Sequence, residues 1–162
     1  MESSSDWRGI ISRQLPRLGH RNWLAIVDSA YPWQSAPSIE TTVTGTDHVE
    51  VIRHMIEAVE SAPHVRPIFL LDAELERLPE SDAPGITEYR AILAQLLDGR
   101  EPQRLPHEEI ISRLAEAARD FQVLVLKTTF TLPYTSLFLQ LDCAYWSAEA
   151  EQRLRNLLDR SS

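Results

Sequence analysis

A glycine–histidine pair, Gly19-His20, stands just ahead of the apolar run Leu24-Ala25-Ile26-Val27, which ends in Asp28 and is followed by Pro32. That order places an imidazole before a short buried strand and a carboxylate at its carboxyl end, where ligands collect in open α/β sheets. Histidine titrates near neutrality, so His20 is a candidate for giving and taking a proton, with Asp28 as an orienting or ligand-binding carboxylate. To work together, the two must converge on one hollow in the folded chain. The same residues also fit a helix-ending glycine, a surface histidine and a turn aspartate.

Two later segments could share such a site. His107 follows Pro106 and opens a helix with Glu108 and Glu109, acids that suit a helix N-terminus. Tyr134-Thr135-Ser136 lies in a polar stretch beginning at Thr128, whose hydroxyls suit a polyol. Other chemistry finds no support. The five glycines form neither a Gly-x-Gly-x-x-Gly nor a Walker-type loop. His48, His54 and His64 lack metal-ligand spacing and are read as surface residues; no metal site is expected. Cys143, the only cysteine, falls within an alternating strand and is read as core, and Lys127, the only lysine, as a solvated or structural cation.

The elements that must position these residues alternate in type. A helix is expected from Trp7 to about Arg17, closed by Gly19, and a buried strand over Leu24–Asp28. A short strand, Glu40–Thr44, interrupts a proline-bearing loop. Asp47 and Glu50 form a capping-box signature before a helix carrying Val51, Ile52, Met55, Ile56 and Val59. Ile68–Leu71 is a second buried strand, again closed by an aspartate, Asp72. Helices from Thr87 to Leu97 and from Glu108 to Arg119 precede a third strand, Phe121–Leu126. Alternation from Leu137 to Tyr145 predicts a half-exposed strand, and Ser147 caps a closing helix with Leu154, Leu157 and Leu158 turned inward. This pattern predicts an α/β layer architecture with a largely parallel sheet.

With 162 residues the chain suits a single domain, 1–162, with a core over about 7–146 and an added helix over about 147–159. Its net charge of −8 repels phosphates and anionic lipid, so neither nucleic acid nor membrane is an expected partner. Met1–Asp6 has neither the basic nor the apolar segment of a signal peptide, and apolar runs fall far short of the ~20 residues that span a bilayer. One cysteine fits a reducing setting; a soluble, cytoplasmic protein is expected.

In combination, these pieces resemble the ribose pyranase and fucose mutarotase family, often called RbsD/FucU. The matching residues are Leu18-Gly19-His20, the strand ending in Asp28 with Pro32, and Thr87-Glu88-Tyr89 ahead of Ile92-Leu93. Arg104, His107-Glu108, Thr128 and Tyr134 continue the match, which runs from about Ile10 to Tyr145. The resemblance implies a three-layer α/β/α fold and cofactor-independent interconversion of anomers or ring forms of a simple, fucose- or ribose-like monosaccharide. It implies His20 as proton donor, with Asp28, Arg104, His107, Tyr134, Thr135 and Ser136 holding the sugar. It also implies a homo-oligomeric ring, a decamer, in which neighbouring subunits complete each site. Two stretches depart from the family pattern. Thr128-Thr129-Phe130 stands where Thr-Gly-Glu is usual, and Tyr134-Thr135-Ser136 where a tyrosine, a small residue and an asparagine are usual. A sugar-binding or transport-accessory protein without catalysis is the alternative.

Overall fold

The computed structural model describes residues 6–160. In chain order the elements are α1 (Trp7–Gln14), β1 (Trp23–Val27), β2 (Ile39–Val43), α2 (His48–Ser61), β3 (Val65–Asp72) and α3 (Ile86–Leu96). Then come β4 (Gln103–Leu105), α4 (His107–Ala117), β5 (Val123–Lys127), β6 (Leu137–Cys143) and α5 (Ala148–Arg160). Among the described residues, the strands form one six-stranded sheet in the order β2-β5-β1-β6-β3-β4. β2, β5 and β1 pair in parallel, as do β3 and β4; β6 runs antiparallel between β1 and β3. Every strand except β6 therefore points the same way, and the sheet is largely parallel.

Helices cover both faces, unequally. Leu24, Ile26, Leu71, Leu124, Leu126, Leu137 and Leu139 pack under Trp7 and Ile11 of α1, the Val51–Met55 stripe of α2, and Ile86, Tyr89 and Leu93 of α3. The alternate residues Trp23, Ala25, Leu70, Val123, Val125 and Phe138 pack under Ile110 and Leu114 of α4. This is a three-layer α/β/α arrangement. The short apolar strands follow from it, because a strand covered on both faces has no polar side to show.

Several expectations are corrected. β6 is half-exposed only over its second half: Phe138 is as fully buried as Leu137 and Leu139, whereas Gln140 and Asp142 on the same face stay half-buried. Asp47 makes no side-chain cap to α2, so its capping-box signature is not used. In α5, Leu154, Leu157 and Leu158 are exposed rather than turned inward, and none of the helix's described residues is buried. Ser147 does cap α5, accepting the Ala150 N–H at 3.0 Å. No helix among the described residues is long and apolar enough to cross a membrane.

Candidate active site

The topology gathers polar groups at one edge of the sheet. β1, β3 and β5 share a direction, so Asp28, Asp72 and Thr128 emerge together at their carboxyl ends. β4 delivers Pro106-His107 to the same edge, and β6, running the other way, starts there after the 128–136 loop. Asp72, fully buried, accepts a hydrogen bond at Oδ1 from His107 Nδ1 at 3.0 Å, while its Oδ2 is buried without a partner. Burial pushes the Asp72 pKa up, and Glu74 and Asp28 add to the rise, against the opposing pull of His107. Glu74 also takes the His107 main-chain N–H at 3.0 Å, fixing the start of α4.

His107 is about a quarter exposed, at 26%. With Nδ1–H tied to Asp72, Nε2 is left as a lone-pair site with no protein partner among the described residues. The Tyr134 ring stands edge-on to it, centroids 5.8 Å apart and planes at 86°. Tyr134 and Pro106 line a hollow of about 530 Å³ with Ala73, Glu74, Arg77 and Leu78. Asp28 is half-buried and accepts the Ala30 N–H at 3.3 Å. The buried Tyr31 hydroxyl is pushed up to about 12, first by burial and then by the charges of Asp72 and Asp28. An acid-backed imidazole, a phenol and a further carboxylate at one edge can together move protons between ligand hydroxyls.

Behind this edge lies His48, at 0% exposure. Nε2–H donates to the Thr135 carbonyl at 2.7 Å, and Nδ1 lies 2.8 Å from Thr128 Oγ1. Phe130 stacks on the ring at 4.8 Å and 14°. Burial lowers the His48 pKa to about 4, against smaller raising effects from the Thr135 carbonyl, Asp28 and Asp47.

His20 stands at the other edge. Its Nδ1 is 2.9 Å from Asp142 Oδ1, and Asp142 Oδ2 accepts from Arg66 Nε and Nη2 at 3.0 and 2.7 Å. Partial burial pushes Asp142 up, but Arg66, the Cys143 N–H and the His20 charge outweigh it and hold the carboxyl low.

No family model matches the sequence, and none of the curated proteins matches it. Solved structures do. The chain superposes on Bacillus subtilis RbsD, solved with D-ribose, with a TM-score of 0.57 and 19% identity over 88% of this chain and 98% of that one. FucU from Bifidobacterium longum gives 0.55 and 17%, covering 83% and 94% of the two chains. The fucose mutarotase of Streptococcus pneumoniae, in complex with L-fucose, gives 0.53 and 17%, covering 82% and 91%. The fold is that of RbsD and FucU.

On the RbsD/FucU fold the expected site residues divide. Asp28, His107 and Tyr134 come to the carboxyl edge together. His20 does not join Asp28 within one chain: β1 separates them, and its five residues span roughly 13 Å at about 3.3 Å per step. The expected convergence therefore fails within a single chain. Arg104 pairs through Nε with Glu76 Oε1 at 2.7 Å and lines a hollow against Leu71, Leu75 and Leu93 of the α3 side, apart from His107. Thr135 and Ser136 are buried, and Thr135 Oγ1 donates to Leu132 O at 2.8 Å, so of the three loop residues only Tyr134 is exposed.

Asp72, Glu74 and His48 were missed as site residues. Asp72 ends its strand as Asp28 ends β1, and that repeated pattern was the available signal. His48, expected at the surface, is core, because position 48 continues the apolar stripe of Val51, Ile52 and Met55. His54 and His64 are half-buried at the surface, as expected of surface residues: His54 meets the Trp7 ring at 5.0 Å, and His64 Nε2 is 3.1 Å from Leu15 O.

Proposed function

We propose that this chain is a cofactor-independent monosaccharide mutarotase or pyranase, acting on a fucose- or ribose-like sugar. The observation that carries the reading is the Asp72–His107 pair beside Tyr134 and Asp28. The sugars held by structures of the same fold, D-ribose and L-fucose, support the substrate class.

His107 Nε2 takes the proton of the anomeric hydroxyl while the bond from the anomeric carbon to the ring oxygen breaks. Asp72 stabilises the imidazolium that forms. An acid protonates the ring oxygen, the carbonyl rotates, and reclosure on its other face reverses both transfers. Each positioned proton transfer is worth about 10²–10⁴-fold. Asp28 and Tyr134 hold sugar hydroxyls. The resemblance assigns the acid to His20, and since His20 lies at the far edge of its own chain, a neighbouring copy must supply it. A contact between opposite edges is head-to-tail and closes into a ring when its rotation allows. The proposed assembly is a homo-oligomer, a decamer.

Saturation-transfer NMR of L-fucose and D-ribose tests this. Anomer exchange is expected to rise above buffer with the native chain and to drop at least tenfold in His20→Ala and in His107→Ala. Mixing those two inactive variants is expected to restore part of the activity, because mixed rings pair an intact His20 with an intact His107. Absence of acceleration for every monosaccharide tried would overturn the proposal. A second reading, sugar binding without catalysis, is favoured by Phe130 where the family carries a carboxylate. Calorimetric binding without acceleration would select it.

A further inference from the structure

We propose that His48 is a positioning residue: from the start of α2 it clamps both ends of the 128–136 loop and so holds Tyr134 against His107. Three observations lead to it. Tyr134 has a φ of 57°, the left-handed region that a tyrosine keeps only when its surroundings impose it. The next residue, Thr135, is held by its carbonyl from two sides, by His48 Nε2–H at 2.7 Å and by the Tyr89 hydroxyl at 2.8 Å. The other ring nitrogen of His48 reaches Thr128 at the opposite end of the loop, and Phe130 stacks on the face between them.

One imidazole thus ties the first and penultimate residues of the segment that carries Tyr134. It sits on a rigid support, since Val51, Ile52 and Met55 anchor the same helix in the core. A leucine would fill this space as well, but could tie neither end. The Thr128 hydroxyl has one proton and two acceptors within reach, His48 Nδ1 at 2.8 Å and the Val27 carbonyl at 3.0 Å. With His48 neutral the proton points to Nδ1, and Val27 O still accepts the Thr128 N–H at 2.9 Å. With His48 protonated the hydroxyl turns to Val27 O. The groups facing this ring are Thr128, Phe130 and Thr135 of the loop and Tyr89 of α3, with the charges of Asp28 and Asp47 acting on it.

This inference rests on the proposed function only for its rate readout. His48→Phe keeps a ring to stack on Phe130 and removes both clamps; His48→Gln keeps a donor that can reach the Thr135 carbonyl. In His48→Phe, amide hydrogen exchange over 128–136 is expected to accelerate roughly tenfold or more, while β1 and β3 amides stay unchanged. The His107 imidazole resonances should shift as the Tyr134 ring leaves its edge-on position. Anomer exchange should lose about tenfold in kcat with less change in KM, and His48→Gln should recover part of it. Should His48→Phe not fold, Thr128→Val opens one end alone and is expected to give the same pattern at smaller size. Unchanged loop exchange and unchanged His107 resonances in a folded variant would overturn the inference. A native chain inert toward every sugar would sink the proposed activity alone, because exchange and resonances still decide the role of His48.

Discussion

Asp72 keeps a carboxylate where water does not reach, with one oxygen on His107 and the other without a hydrogen-bond partner among the described residues. Burial raises its pKa, so at neutral pH its ionised form destabilises the fold, and the penalty shrinks as pH falls through the folded-state value. Asp72→Asn keeps an acceptor for His107 Nδ1–H but removes the charge that supports an imidazolium. We expect it to lower anomer exchange by at least tenfold while leaving the urea midpoint at pH 7 unchanged or higher. His48 titrates with the opposite consequence. Its pKa, lowered by burial from 6.5 to about 4, means the unfolded chain binds a proton the folded chain refuses between those values. Stability should therefore fall by about 3 kcal/mol as pH drops from 6.5 to 4, and His48→Gln should flatten that slope. At this scale Asp28, His107 and Tyr134 were legible from their neighbours in sequence. Asp72 closes its strand as Asp28 does and His48 continues the α2 stripe, but the partners that give each a role, His107 and the 128–136 loop, lie far away in sequence and left those roles unread.

Among the elements, the sequence announced almost every helix and strand because apolar stripes and turn residues agreed. β4 escaped notice: Gln103–Leu105 is three residues long, with two of them exposed, too little for any period to show. The burial of β6 also escaped, since alternation between Leu and Phe, Gln or Asp reads the same whether one face or both are covered. Its central position makes a testable claim. Phe138 pairs opposite Ala25 and Leu70 and meets the Trp23 ring edge at 6.4 Å. Phe138→Ala is expected to destabilise by about 3–5 kcal/mol in urea denaturation, a loss only a doubly covered strand would show.

For the molecule as a whole, the two polar edges lie at opposite ends of the parallel strands, and that separation was invisible in the sequence. His20 and Asp28 stand eight positions apart along the chain, but only the sheet shows that β1 carries them away from each other. The helix α5 lies outside the core, because none of its described residues is buried. Removing residues 147–162 is expected to leave the urea-derived stability of the remaining body within about 0.5 kcal/mol, and light scattering is expected to give both forms the mass of the proposed ring. A light-scattering mass of a single chain for both forms would contradict the assembly.

The strand order carries a consequence for biosynthesis. β5 fills the gap between β2 and β1, and β6 the gap between β1 and β3, yet both are translated after the strands they join. A nascent chain emerging from the ribosome must hold β1, β2 and the β3–β4 pair apart, each with an open hydrogen-bonding border, until β5 and β6 arrive. Folding can then finish only once β6 has emerged, and the waiting period is where a chaperone or an aggregation partner finds its opening.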